Sequence, residues 1–424
     1  MKEVNQANEN MEASAADGGK QSNYNFLAGM FAGVVIAVVL FIAINLTAPI
    51  VYEMLGGTVA SSRSTLGRGQ SQTIERKINE VLHIIETLYI GVVDRQGLID
   101  DMFRGLVFGV GDPYTVYMTI EEFETYRQST DGSFVGIGVS VSVNAENNMI
   151  EIIAPHEGSP SERAGLRPRD HIIAVNGYNV TGDMLQTAIS MIRGVPGTTV
   201  TITILRDGES FDVGIVRENI EVPTVAHEML EDNVGYIRIN QFAQVTDEQF
   251  FVALNDLKSQ NLRGLIIDLR NNPGGRLDTV LSITNALIPE GVIMTMESRT
   301  NPTENHYADN EYLGLPLVIL VNENSASASE VLAGAVRDTG VGQIVGTTTY
   351  GKGVVQNIAM LSCGTGAIKL TVARYYTPSG VSIQDIGVEP HFKVEMEAVS
   401  IASLDRDEDL QLQAAIEIMS GKIR

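Results

Sequence analysis

From Phe26 to Ala48 the chain runs 23 positions without a charge and with Asn45 as the only strongly polar side chain. At ~1.5 Å per residue a helix of that length extends about 34 Å, enough to cross a bilayer. The run is longer than the apolar core of a signal peptide. It leads straight into Pro49 rather than a small-x-small site, which favours an uncleaved anchor. Positive charge hardly orients it, since Lys2 and Lys20 precede it and Arg63 and Arg68 follow at a distance. A polar tail (1–25) before the span (26–48) and a large body after it suggest a single-pass cell-membrane protein with its body extracytoplasmic.

The pattern then changes several times. Gly56 to Gln72 is rich in Gly, Ser, Thr and Arg, so residues 49–72 read as a flexible linker. Ile74, Ile78, Val81, Leu82, Ile85 and Leu88 recur at helical steps, and further helical stretches run near Leu98 to Val110 and Ile120 to Gln128, making 73–130 a helical segment. Such a unit either packs on the body or pairs between subunits, so a homodimer stays open. From Asp131 the period falls to two: Phe134, Val135, Ile137, Val139, Val141 and Val143 alternate around Gly136 and Gly138. Further strands follow at Ile150 to Ile153, His171 to Asn176 and Thr199 to Arg206, with one helix near Met184 to Arg193, so 131–217 reads as a compact β-rich domain. Beyond Arg217, strands (Val234 to Asn240, Gly264 to Arg270, Leu315 to Val321) alternate with helices (Val245 to Gln260, Leu277 to Leu287, from near Val331), the pattern of an α/β core over 218–398. Residues 399–424 end in a short helix.

Charge narrows the partners. Lys and Arg number 29 against 52 Asp and Glu, a net −23 that disfavours nucleic acid and other polyanions. The lone Cys363 has no internal disulfide partner, and the six histidines form no zinc-like spacing, so neither a disulfide scaffold nor a structural zinc domain fits. The 41 glycines matter by location. Gly136-Ile137-Gly138-Val139 can turn successive N–H groups toward a carboxylate, although a glycine bulge reads the same in isolation. Gly274 and Gly275 lie between a strand and a helix, where they present N–H groups to an oxygen or simply turn the chain. Ser325, Ser327 and Ser329 occupy the next such junction. Ser327-x-x-Glu330 is a capping box, yet a hydroxyl at a helix N-terminus is also placed where an oxyanion is favoured. Lys352, between Gly351 and Gly353 ahead of an apolar stretch, is either an exposed lysine or one whose burial makes it a base. On a regular strand Gln356 would share its face and could orient it.

A resemblance separates these readings. Gly136-Ile137-Gly138-Val139, the AGLRPRD turn from Ala164 and the IIAVNG strand end from Ile172 resemble a PDZ domain. GYIRINQF from Gly235, LIIDLRNNPGG from Leu265, VNENSASASEVLAGAVRD from Val321 and GKGVVQ from Gly351 are similar to the carboxy-terminal processing (tail-specific) peptidases, over roughly residues 74 to 415. The resemblance implies a core of the crotonase/ClpP class with an inserted PDZ domain. It implies Ser327 as nucleophile, Lys352 as general base and Gln356 as its positioning residue, with backbone N–H groups of Ala328, Gly274 and Gly275 receiving the oxyanion. It further implies a membrane-anchored serine endopeptidase, needing no metal or organic cofactor, that takes unstructured polypeptides by free apolar C-termini docked at Gly136 to Val139. Arg167 in the PDZ turn is a regulatory candidate linking peptide binding to the site. The competing class is a catalytically silent scaffold that binds tails without cutting them.

Overall fold

The computed structural model describes residues 68–309, 311–396 and 406–423. The expected span Phe26 to Ala48 and most of the linker therefore lie outside the described residues, among which no helix is long and apolar enough to cross a membrane. Helix Arg68–Leu88 begins inside the segment read as linker, so Arg68 to Gln72 are helical instead. With the residues up to Arg95 it forms one unit, and Ile74, Val81, Ile84 and Leu88 on it are exposed.

The second unit runs from Gln96. Its opening stretch is not wholly helical: after helix Arg95–Phe108, strand Val116–Thr119 pairs antiparallel with Gly366–Tyr376 before helix Ile120–Asp131 begins. Thr119 caps that helix, its hydroxyl accepting from the Glu122 N–H while Glu122 accepts from the Thr119 N–H. A two-stranded neck, Ser133–Gly136 against Glu218–Glu221, then leads into and out of a separate sheet. That sheet orders Val139–Asn144, Met149–Pro155, His171–Val175, Thr199–Arg206 and Glu209–Val216, with Tyr178–Asn179 paired to the third. Ile137, Ile152, Ile172, Val200, Ile202 and Ile204 form a core of its own, shared with helix Leu185–Ile192. Its last hairpin turns on Asp207 and Gly208, both at positive φ (52° and 86°), as a tight Asp-Gly turn requires.

The core holds two further sheets. One has six strands in the order Val225–Met229, Val234–Ile239, Gly264–Asp268, Leu317–Val321, Gly342–Gly346, Phe392–Lys393, antiparallel at the first pair and parallel thereafter. Its central strands are apolar on both faces because both are covered. Leu317, Ile319 and Val321 pack with helices Thr246–Ser259, Leu277–Asn285 and Ala328–Thr339; Val318 and Leu320 face Leu412, Ala415 and Met419 of helix Leu410–Ile423. The other sheet joins Val116–Thr119, Gly366–Tyr376, Gly291–Ser298 and Glu304–Ala308, with Val354–Met360 also on Gly366–Tyr376. Loops Leu269–Gly275 and Asn322–Ser327 leave the parallel strands at their carboxyl ends, the edge where open α/β sheets place their sites.

A buried ion network fastens the terminal helix. The fully buried Arg270 guanidinium donates to Asp268 at 2.7 Å and to both oxygens of Asp409 at 2.8 Å, and the Tyr236 hydroxyl adds a bond to Asp268 at 2.7 Å. Burial alone would raise the Asp409 carboxyl, but its bonds from Arg270 and the backbone hold it below the usual carboxylate range. Removing one partner leaves a buried charge uncompensated. Asp409→Ala should therefore cost about 3–5 kcal/mol in urea unfolding followed by circular dichroism, and a loss under about 1 kcal/mol would contradict this account.

Candidate active site

Asn322 to Ser327 form the loop between strand Leu317–Val321 and helix Ala328–Thr339. Its three serines separate by partner. The Ser325 hydroxyl donates to the Leu269 carbonyl at 2.8 Å and Ser329 to Asn272 at 3.0 Å, both fully buried, so these two stitch the loop to Leu269–Gly275. Ser327 instead lines a cavity of about 800 Å³ with Ala328, Gly274, Gly275, Lys352 and Gln356. Its backbone is at φ 56°, ψ −111°, whereas an ordinary N-cap sits in the β region. Such a backbone costs on the order of 1–3 kcal/mol and persists only when neighbours over-determine it.

Glu330 supplies most of that determination. It is fully buried, and one oxygen accepts the Ser327 N–H at 2.7 Å and the Lys352 N–H at 2.9 Å. The other accepts the Gly351 N–H at 2.7 Å and the Thr349 hydroxyl at 2.6 Å. One carboxylate thus binds the backbone on both sides of the cavity. Tyr375 repeats the link, its buried hydroxyl lying 3.0 Å from the Ser327 carbonyl and 2.9 Å from that of Lys352. Burial, reinforced by the Glu330 charge, raises the Tyr375 hydroxyl well above its ordinary value, which keeps it a donor.

Lys352 precedes strand Val354–Met360 and is half-buried. Burial, then the like charge of Lys369, pushes its amine below the usual lysine value, while Glu330 and Asp112 oppose the shift. Among the described residues it makes no salt bridge, and its nitrogen stands 5.0 Å from the ring centroid of Tyr114. Lys352 lies just ahead of the strand, and Gln356 lines the same cavity, its amide donating to the Thr371 hydroxyl at 3.3 Å.

The glycine loop is set by close approach. Gly274 (φ 100°) and Gly275 (φ 149°) leave no room for a Cβ, which would meet Ala326 O at 2.7 Å or Phe242 O at 2.1 Å. The Gly274 N–H is taken by the Asn272 side chain at 2.9 Å, a correction to its expected role as an oxyanion donor. The N–H groups of Gly275 and Ala328 have no partner among the described residues and belong to the cavity wall.

The PDZ-like loop lies elsewhere. Gly138 is at φ 71°, where a Cβ would fall 2.4 Å from that of Ser159. Ser161 fixes the loop, its hydroxyl donating to Gly138 O at 2.6 Å and its N–H to Ile137 O at 2.8 Å. The N–H groups of Ile137 and Gly138 have no partner among the described residues, and Val139–Asn144, which begins with Val139, is an edge strand paired only with Met149–Pro155. An N–H loop beside an open strand edge suits an extended peptide ending in a carboxylate. Arg167 is exposed and does not reach the cavity; its N–H donates to Asp170 at 2.7 Å, and Asp170 is held by Arg206.

Three family models match the chain: peptidase family S41 over 233–394, the PDZ domain over 151–206, and the N-terminal domain of the activating protease CtpB over 52–122. The carboxy-terminal-processing protease of Bartonella bacilliformis is 37% identical over 75% of this chain and 74% of its own. The chain belongs to the carboxy-terminal-processing proteases. Among other relatives, the carboxy-terminal processing protease CtpA of Bacillus subtilis is 34% identical over 87% of this chain and 80% of its own. The solved photosystem II D1 C-terminal processing protease is 28% identical over 78% of this chain and 89% of its own, at a TM-score of 0.45 that carries no geometric argument.

Tyr375, Tyr114 and Asp112 carried no local signal as members of the site of this serine peptidase, and Glu330 was visible only as a cap by its spacing from Ser327. His306 also lines the cavity, with a buried Nε2 that makes no hydrogen bond among the described residues. Glu330→Gln keeps the volume but turns an NH2 toward N–H donors, so both loops should shift and kcat/KM should fall by about 100-fold or more. Steady-state cleavage of a disordered polypeptide checks this, and a rate within about threefold of the parent would refute it.

Proposed function

We propose that this protease is a membrane-anchored endopeptidase that uses a Ser327–Lys352 dyad and selects unstructured polypeptides by their C-termini. What carries the reading is the pairing of a strained serine with a half-buried lysine across one cavity, their backbones joined by Glu330. Neutral Lys352 would take the Ser327 proton as Oγ adds to the scissile carbonyl, with Gly275 and Ala328 N–H groups receiving the oxyanion. The protonated lysine would then give its proton to the leaving amine. Water activated by Lys352 would hydrolyse the acyl-enzyme. Gln356, on the same cavity wall and bonded to Thr371, would hold the Lys352 amine in orientation.

Docking of a terminal carboxylate at Gly136 to Val139, with the tail added along the Val139–Asn144 edge, would raise the local concentration of chain near Ser327. Arg167 is proposed to link the two sites, because its exposed guanidinium is available to contacts that exist in another domain arrangement. A polypeptide with a free apolar C-terminus should be cut at least about tenfold faster than its amidated form. Ser327→Ala should abolish both rates, and Arg167→Ala should reduce only the difference between them. Equal rates for the two substrates would remove tail selection; residual parent-level cutting in Ser327→Ala would remove the dyad.

Anchoring rests on the uncharged run Phe26 to Ala48, with the body placed outside the cytoplasm. The full chain should sediment with membranes and resist carbonate extraction, whereas a chain starting at residue 68 should stay in the supernatant. Extraction of the full chain by carbonate would end the anchor reading.

A further inference from the structure

Helix Arg95–Phe108 is followed by a loop, Asp112 to Thr115, that reaches the base from outside the peptidase core. Asp112 organises the loop, one oxygen accepting the Thr115 hydroxyl at 2.5 Å and the other the Tyr114 N–H at 3.3 Å. The buried Thr115 hydroxyl in turn accepts the Thr371 N–H at 3.1 Å, and the next residue, Val116, stands opposite Lys369 in the sheet. The loop is thus bolted to the strand that borders the cavity. Tyr114 comes from it to lie under the Lys352 nitrogen, 5.0 Å from ring centroid to Nζ, within the range of a cation–π contact.

The charged groups around that nitrogen are few. Lys369 on strand Gly366–Tyr376 repels an ammonium, while Glu330 on the serine's helix and Asp112 on the loop attract one. Tyr375 bonds the Lys352 carbonyl, not its amine, and Tyr350 and Gln384 engage the Tyr114 side chain. The ring face of Tyr114 therefore joins the Glu330 and Asp112 carboxylates in favouring the protonated lysine. During acylation the proton that leaves Ser327 Oγ arrives on Lys352 Nζ, so an ammonium forms over this ring as the Oγ–carbon bond forms. It disappears when the proton passes to the leaving amine.

We propose that Tyr114, held by Asp112, is a positioning residue that stabilises the Lys352 ammonium formed in the acylation step. The inference rests on Lys352 being the base. Loss of the ring makes Lys352 a weaker base that sheds its proton at lower pH. Two effects of opposite kind follow: the rising limb of the pH–rate profile moves toward acid, and the plateau above it falls.

The test uses the full chain with Tyr114→Leu, Tyr114→Phe and Asp112→Asn. Competitive acetylation of Lys352 across pH, read by mass spectrometry, gives the midpoint of the amine itself without any need for activity. In Tyr114→Leu that midpoint and the kcat limb should both fall by about half to one pH unit, with a plateau kcat reduced severalfold and KM little changed. Asp112→Asn should move both the same way by less, and Tyr114→Phe, which keeps the ring, should leave them in place. An acetylation midpoint unmoved in Tyr114→Leu, or moved as far in Tyr114→Phe, would overturn the ring's role with the base assignment intact. A midpoint that falls while the rate limb stays put would remove Lys352 as base, and this role for Tyr114 with it.

Discussion

The Glu330 carboxylate is the interaction on which the site depends. Its oxygens accept from Ser327, Thr349, Gly351 and Lys352, so a single buried charge fixes two loops that leave different strands. A buried carboxylate is costly unless every lone pair is used, and here four donors use it. Those donors would otherwise be unpaired at a helix start and a glycine turn. Each side therefore needs the other, and the geometry of serine and lysine follows from one compensation rather than from two separate ones. The unusual backbone of Ser327 is the local cost, held in place by Glu330, Tyr375 and the Ala326 N–H on Asn272 O at 3.0 Å.

That arrangement requires the rest of the core. Parallel strands Gly264–Asp268 and Leu317–Val321 are buried on both faces, which places Leu269–Gly275 and Asn322–Ser327 side by side at one edge. Asn271 and Asn322 exchange hydrogen bonds between these loops at 2.8 and 2.9 Å. Gly275 presses against Phe242 from a third loop so tightly that only hydrogen fits. The cavity thus has a wall whose atoms are fixed by the sheet, and a facing wall, Lys352 to Ile358, that belongs to a different sheet.

The sequence showed what is local. Alternating strands and helices marked the α/β core, and Ser327 and Lys352 stood out by their flanks. Glu330 was legible only as a cap, because its other partners sit about twenty residues away in a loop whose path depends on tertiary structure. Tyr375, Tyr114 and Asp112 were not legible at all, since nothing local distinguishes them and long-range pairing brings them in. Gln356 was legible as a neighbour of Lys352, and both line the cavity, but its Thr371 partner was not, because that contact comes from the adjoining strand. Gly274 failed as an oxyanion donor because its N–H is claimed by the Asn272 side chain. Strand Glu209–Val216 was missed, although the Asp207-Gly208 pair ahead of it carries the signal of a tight hairpin turn.

The neck explains how a separate PDZ domain can share structure with this cavity. Val222, just after its second strand, donates to Gly132 O at 2.8 Å, and Gly132 sits so close to Ala243 that a Cβ would fall 2.6 Å from the alanine side chain. Gln244 donates to Thr130 O at 3.0 Å and the Gln241 side chain to Ser129 O at 3.2 Å. The segment Gln241 to Gln244 therefore holds the base of the neck. The same segment holds the glycine loop, because Phe242 donates to Gly274 O at 3.0 Å and accepts from the Arg276 N–H at 2.7 Å. Since Gly275 has no slack against Phe242, a displacement of the neck that shifts this segment acts directly on the backbone carrying the Gly275 N–H. The route from PDZ domain to cavity is one backbone segment long, and tight packing on both sides leaves that segment little room for gradual bending.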